Sequence, residues 1–280
     1  MELATLSMAQ WAAVSPALTY LIVSSFYETL YHFNAFPQYC LVRSEEETRR
    51  TPVPKLRVLQ YVASYNIAIT CVLLVLPDVT PSSPKNAYDV TFVAQLERLP
   101  LGDFILGHGL ALSCLTWLFT SALFCLRMFL AFVVLDTWAF WCHWFQHKNA
   151  WLYRNTHALH HKIHAPYAFG AWYNHWAESL IVDSFGGLLA VTIIGLSDME
   201  QVIFFASGTA KAVEDHSAYV LPWSPFTIIG RWTGNGVEYH DTHHHPRKVK
   251  YNLQIYFTWW DSLMGTNYAE KRIAHGKVKH

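Results

Sequence analysis

Between Phe104 and His147 the chain runs for more than forty residues with little break in its apolar character, and the run ends in histidines: Asp136-Thr-Trp-Ala-Phe-Trp-Cys-His143-Trp-Phe-Gln-His147. As a single helix rising about 1.5 Å per residue it would be roughly 65 Å long, twice the ~30 Å hydrocarbon thickness of a bilayer. Such a run must be divided or must project beyond the membrane. Lipid offers the backbone no water, so either solution has to be helical. Arg127 is the natural division, giving one span near Phe104 to Phe124 and a second helix from about Met128 that carries Asp136, His143 and His147.

Other apolar stretches follow the same logic. Ala12 to Phe33 is long enough to cross, with Glu28 and His32 towards its far end, and Leu56 to Leu76 forms a second span closed by Pro77 and a Pro/Ser-rich loop through Pro84. Between them, Leu41 to Arg57 gathers Arg43, Arg49, Arg50, Lys55 and Arg57 around glutamates, with Pro52 and Pro54 to break a helix. Ser179 to Leu196, interrupted by Gly186-Gly187, and Met199 to Val213 read as a shorter apolar hairpin joined at Ser197-Asp198; no span is expected after His216. The fold class expected is all-α, a polytopic membrane helical bundle with a cytosol-facing histidine-rich metal-binding cap. Its parts are an N-terminal transmembrane region (1–135), a catalytic region that includes further membrane helices (136–270) and a polar tail (271–280).

Composition agrees. Apolar residues make up 52% of the chain and charge only 14%, and twelve tryptophans and fifteen tyrosines suit long interfaces with lipid headgroups. Basic and acidic residues balance at 20 each, which removes any general attraction to nucleic acid. Five cysteines form no C-x-x-C pair and read as small buried hydrophobes. With no basic n-region, a cleaved signal peptide is not expected. Lys148, Arg154, Lys162, Arg231, Arg247, Lys248 and Lys250 surround the histidines and place them on the cytosolic side by the positive-inside tendency. If every run crosses, the basic connection at Arg43 to Arg57 falls on the opposite face, so one run, within Phe104 to Phe124 or the C-terminal pair, is expected to be interfacial or re-entrant.

Three histidine clusters carry the chemistry. On a helix, Asp136, Phe140, His143 and His147 share one stripe, with two ligands one turn apart and a carboxylate behind them able to accept a ring N–H and set its tautomer. His157-Ala-Leu-His160-His161 and His240-Asp-Thr-His243-His244 both read H-x-x-H-H. In that spacing the first two histidines lie one turn apart and the third points about 100° away, so that one cluster can serve two metal ions. Eight imidazoles suit iron, zinc or copper better than magnesium or calcium, and carboxylate ligands are not clustered with them.

H-x-x-x-H, H-x-x-H-H and H-x-x-H-H in this order resemble the fatty acid hydroxylase superfamily of membrane di-iron oxygenases, which includes sterol desaturases and sphingolipid hydroxylases. Asp136-Thr-Trp, Tyr153-Arg-Asn-Thr-His157, Pro166-Tyr-Ala-Phe-Gly170-Ala-Trp-Tyr-Asn-His175, Asp215-His216-Ser-Ala-Tyr219, Tyr251-Asn-Leu and Trp260-Asp-Ser-Leu-Met-Gly265-Thr are most similar to its sphinganine C4-hydroxylase branch. The similarity covers Asp136 to Thr266. It implies two iron ions, O2, NAD(P)H-derived electrons delivered through a b-type cytochrome and its reductase, a long-chain lipid substrate and residence in the endoplasmic reticulum membrane. The product implied is phytosphingosine from sphinganine. It adds His216 to the ligands, and His175 either as a ligand or as a residue behind them, with Glu178 able to orient it. Lys277-Val-Lys279-His280 is a near miss for a lysine-based endoplasmic reticulum signal.

Two positions depart from the branch pattern: Trp176 stands where Pro follows Asn-His, and Ala218 where Gly follows Asp-His-Ser. Both adjoin expected ligands and bear on the substrate channel, so a sterol or fatty-acyl desaturase or hydroxylase is the alternative within the superfamily. A histidine-lined metal transporter is the alternative outside it, but it would place ligands near the bilayer midplane, whereas the second and third clusters lie in polar segments. His164, His245, His275 and His280 carry no expected role, Arg127 reads as a snorkelling helix-end residue, and Trp259-Trp260 reads as packing.

Overall fold

A computed structural model describes residues 6–41, 53–75 and 109–270. Most of the basic connection, the loop after Pro77 and the tail 271–280 lie outside the described residues. Helix α1 (Met8–His32) opens with a capping box, in which Ser7 and Gln10 each satisfy the other's backbone N–H. Helix α2 (Lys55–Val75) follows, and then α3 (Gly109–Lys148), an unbroken helix of 40 residues.

The expected division at Arg127 is therefore absent. Arg127 lies in mid-helix and is buried, with Nε and Nη2 on the Glu200 carboxylate at 2.8 and 2.9 Å, Nη1 on the Ile194 carbonyl at 3.2 Å and Nη2 on the Gly195 carbonyl at 2.6 Å. It does not snorkel, because a helix C-terminus turned by Gly195 at φ +67° presents unpaired carbonyls beside it. The run projects rather than divides: 40 residues span about 60 Å, so a crossing of about 20 residues leaves the histidine-bearing end clear of the hydrocarbon.

After α3 come a short helix α4 (Ala150–Asn155), 3-10 turns at His157–Lys162 and Ala168–Trp172, and helix α5 (Trp176–Ile194), whose stretch Ser179–Phe185 is π-helical. Gly186-Gly187 does not interrupt α5 but lets it close on its neighbours. A Cβ at Gly186 would lie 2.6 Å from Trp138 on α3, and one at Gly187 would lie 2.7 Å from Phe205. Helix α6 (Asp198–His216) returns from the Gly195 turn at the expected Ser197-Asp198 joint, where Ser197 caps it, and packs along α1. Helices α7 (Pro225–Thr233), α8 (Val237–His244) and α9 (Trp259–Met264) complete the cap. Among the described residues there is no strand, only an isolated bridge between Cys40 and Tyr219.

One apolar cluster, with Met128, Ala131, Ala190, Val191, Leu196 and Phe204, joins α3 to the α5–α6 hairpin. A second, with Tyr20, Tyr27, Val58, Val62, Ile163, Tyr173, Val213 and Tyr219, ties α1, α2 and α6 to the underside of the cap. Among the described residues two helical stretches, Cys114–Lys148 and Trp176–Ile194, are long and apolar enough to cross a membrane. The cysteines form no disulfide, but they are not buried as expected. Cys71, Cys114 and Cys125 are exposed on helix exteriors, and Cys40 and Cys142 are half-buried; an apolar thiol suits a lipid-facing surface as well as a core.

Candidate metal centre

Nine histidines converge in two groups: His143, His147, His157, His161 and His243 in one, His160, His216, His240 and His244 in the other. Within each group every ring offers a nitrogen within 4.8 Å of the others. The division of the H-x-x-H-H clusters differs from expectation, since the first and last histidines pair and the middle one crosses to the other group. On α8 this follows from helix geometry: residues four apart are offset by about 40° and residues three apart by about 60° in the opposite sense. In the 3-10 turn, Glu178 sets the division by holding His157 so that its Nε2 approaches His161 Nε2 at 2.8 Å.

The rings are held from behind. Nδ1 of His143 donates to the Leu253 carbonyl at 2.6 Å, that of His243 to Tyr251 at 2.8 Å, that of His216 to Ala212 at 2.7 Å and that of His244 to Ile163 at 2.9 Å. A carbonyl can only accept, so the proton of each neutral ring sits on Nδ1 and Nε2 is left as a bare lone pair. His157 Nδ1 lies 2.5 Å from Glu178 Oε1, and its Nε2 lies 2.9 Å from that of His143. Two bare imidazole nitrogens at hydrogen-bond distance cannot bond one another; they fit a shared cation. His243 Nε2 is buried without any hydrogen-bond partner, as a ligand atom without its ion would be. In the second group, Nε2 of His240 lies 3.1 Å from that of His216 and 3.0 Å from that of His244.

Burial, and then the neighbouring rings, push His157, His160, His161, His240, His243 and His244 well below the ordinary imidazole range. At neutral pH they are uncharged, the form that binds metal.

Two carboxylates act differently from expectation. Asp136 does share the stripe with His143 and His147, but it is fully buried against the segment after Tyr251, accepting from Ile255 N at 3.1 Å, Tyr256 N at 2.8 Å and the Gln254 side-chain amide. It orients His143 indirectly, because Leu253 on that segment supplies the carbonyl for the ring. Glu178 faces His157 rather than His175. His175 lies in neither group: it caps the start of α5, its Nδ1 accepting from Ala177 N at 3.3 Å. This places Trp176 at the first helical position, where proline is favoured and the branch pattern has it.

Asp261, quoted above only within a motif, is a second anchor of the same segment. Its carboxylate accepts from Leu253 N at 3.0 Å, Gln254 N at 2.7 Å, Thr266 Oγ1 at 2.6 Å and Tyr239 OH at 2.6 Å. Lys211, buried on α6, bridges Asp215 at 2.5 Å and Asn235 at 3.2 Å, and so fixes the turn before His216. A lysine and an aspartate at i and i+4 are visible in the sequence as a pair; their burial is not. Trp260 packs, as expected, stacking on Phe140 and donating Nε1–H to Thr137 at 3.1 Å.

Residues 128–266 match the family model described as fatty acid hydroxylase. The chain is 34% identical to a sphingolipid C4-hydroxylase of Schizosaccharomyces pombe, over 90% of this chain and 86% of that one. It is 31% identical to a sphingolipid C4-hydroxylase of Saccharomyces cerevisiae, over 92% of this chain and 71% of that one. It is also 31% identical to sphinganine C4-monooxygenase 1 of Arabidopsis thaliana, over 90% of this chain and 85% of that one. No solved structure matches the chain.

Proposed function

Because the chain belongs to the fatty acid hydroxylase family, we propose that it is an O2-dependent oxygenase that hydroxylates sphinganine at C4 to give phytosphingosine. The observation that carries the reading is the pair of buried, all-imidazole groups with their lone pairs turned inward. His143, His147, His157, His161 and His243 would hold one metal ion, and His160, His216, His240 and His244 a second. The chemistry supplied there by two irons is activation of O2 for attack on an unactivated C–H bond, with electrons from NAD(P)H through a b-type cytochrome and its reductase.

The protein's own contribution is positional. Five Nδ1 atoms anchored on fixed acceptors hold the rings without the freedom to reorient, which keeps ligand geometry tight. Phe140, fully buried one turn before His143 on α3, packs against Trp260, which also meets Trp141. The apolar helices lie directly below the cap, so a long-chain lipid reaches the site with its tail in hydrocarbon. In the endoplasmic reticulum membrane this arrangement faces the cytosol, where the electron donors are.

The test is expression in cells that lack sphinganine C4-hydroxylase, with phytosphingosine measured by mass spectrometry. Rescue is expected, with loss of rescue in His160→Ala and His243→Ala. An expressed, metal-loaded protein that yields no phytosphingosine but alters sterols or other acyl lipids refutes the substrate and leaves the family.

A further inference from the structure

Between α2 and the cap lies an open cavity of about 550 Å³, a size usual for small-molecule sites. Arg57, Gln60, Tyr61 and Ser64 of α2 line one side of it, and Lys162 and Tyr173 of the cap line the other. The two sides meet where the Tyr61 and Tyr173 rings stand edge to face, with centroids 5.3 Å apart. Arg57 and Lys162 are both exposed to the cavity, and no lining residue is acidic. None of the ion pairs among the described residues involves either cation. Like charges lining one cavity repel each other, and an anion between them turns that cost into attraction.

The cavity also unites two basic groups that the sequence sets apart. Arg57 ends the basic connection before α2, and Lys162 belongs to the basic residues around the histidines. Lining one cavity, they lie on the same side of the apolar helices. Lys55 makes the same junction, its Nζ lying 4.8 Å over the Tyr167 ring of the cap.

Along α2, positions 57, 60, 61 and 64 are spaced i, i+3, i+4 and i+7 and share one face. Further along that face Ile67, Ala68 and Cys71 are exposed as well. Within about 20 Å of helix the face passes from a guanidinium and an amide to bare apolar surface, which is the order of a phospholipid's headgroup and acyl chain. A free phosphate would use only the first part of it.

We propose that this cavity binds the phosphate group of an anionic phospholipid whose acyl chain lies along α2. Arg57 takes two phosphate oxygens with its planar fork, Lys162 supplies a point charge from the cap, and the Gln60 amide adds a neutral donor. Anionic lipids belong to the cytoplasmic leaflet, the side on which the basic residues place the cap. A zwitterionic headgroup brings an ammonium of its own, which the two cations repel. Lys162 follows His161 in the turn that carries His157, His160 and His161, so a lipid bound there ties that turn to the membrane surface.

The test uses the purified protein in detergent, with short-chain phosphatidic acid and phosphatidylcholine as probes and inorganic phosphate as a soluble competitor. Native mass spectrometry counts bound lipid, and metal content is measured in parallel. Wild-type protein is expected to bind phosphatidic acid at least about tenfold tighter than phosphatidylcholine. Arg57→Gln and Lys162→Gln are each expected to weaken phosphatidic acid about tenfold, as for loss of a charged hydrogen bond, with phosphatidylcholine binding and metal content unchanged. Arg154→Gln, which removes an exposed cation on α4 outside the cavity, should leave phosphatidic acid binding as it is. Equal wild-type binding of the two lipids overturns the proposal, and this arm needs no variant to fold. So does an equal loss in Arg154→Gln, which would mark diffuse attraction to a basic surface, or unchanged binding in both cavity variants. Inorganic phosphate that binds as tightly as phosphatidic acid overturns the lipid as the carrier of the anion.

Discussion

Exchanging the carboxylate and the amide of Asp136 and Gln254 tests how the segment that orients His143 is held. Asp136 Oδ1 accepts from Ile255 N and Tyr256 N, and Oδ2 accepts from Gln254 Nε2. The Gln254 amide cannot flip freely, because its Oε1 accepts from Trp260 N at 2.8 Å and Asp261 N at 3.4 Å. In Asp136→Asn the remaining oxygen keeps the two backbone donors, and the new NH2 faces the Gln254 NH2. Two buried donors then lose their acceptor, at about 1–3 kcal/mol each for a group left unpaired, so a loss of about 3 kcal/mol is expected. For a chain of this size that is roughly 6–12 °C in Tm. Gln254→Glu alone places two carboxylates in contact and should also destabilise. The double exchange, Asp136→Asn with Gln254→Glu, restores every pairing. The new amide NH2 at position 136 donates to the new carboxylate at position 254, and that carboxylate still accepts from Trp260 N and Asp261 N. The amide oxygen at position 136 still accepts from Ile255 N and Tyr256 N. Thermal unfolding of the four proteins in detergent gives the coupling energy by a double-mutant cycle; at least about 2 kcal/mol of recovery is expected. A double variant no more stable than the worse single one refutes this account of the segment.

Ala218, two residues after His216, has φ +68° and is buried; the left-handed conformation costs a residue with a Cβ about 1–2 kcal/mol. After allowance for the greater freedom of an unfolded glycine, Ala218→Gly should raise stability by about 0.5–1 kcal/mol, and a destabilised variant in a denaturation series would count against strain there. Removing Arg127 takes the guanidinium from Glu200 and two carbonyls, so Arg127→Ala should cost about 3–5 kcal/mol; Glu200 also accepts from Ser197 N at 2.7 Å in the capping box of α6, so adding Glu200→Ala should cost only about 1 kcal/mol more, for the lost cap, and fully additive losses would show that the two do not act as a pair. The six histidines whose folded-state values are depressed, five of them buried and His240 half-buried, bind fewer protons folded than unfolded, so the stability they contribute is present above the ordinary value of 6.5 and is lost as pH falls below it. Each that stays neutral should cost the metal-free protein about 1.4 kcal/mol per pH unit, read as a falling Tm between pH 7 and pH 5; a flat profile would refute their burial as neutral rings.

The sequence alone determined the helical class, the apolar runs and the imidazole character of the site, because these depend on residue type and on spacings of three, four and seven that a helix converts directly into faces. It also located the turn at Ser197 and the departure at Ala218. The tertiary structure decided what joins what. His157 and His161 face His243, more than eighty residues away in the chain, and neither cluster's spacing says which of its histidines makes that journey. Four of the nine rings are oriented by the carbonyls of Ala212, Ile163, Tyr251 and Leu253, groups that every residue possesses and that leave no mark in a sequence. Arg127 reads as a helix end because an arginine in an apolar run usually seeks water; in the fold, a neighbouring turn offers it two carbonyls and a glutamate. The same holds for Glu178 and His175, three residues apart, where proximity in the chain suggests a pair and the α-helical first turn of α5 directs Glu178 to His157 and leaves His175 as a cap. Local periodicity sets which residues are available to a site, and long-range packing sets which of them meet.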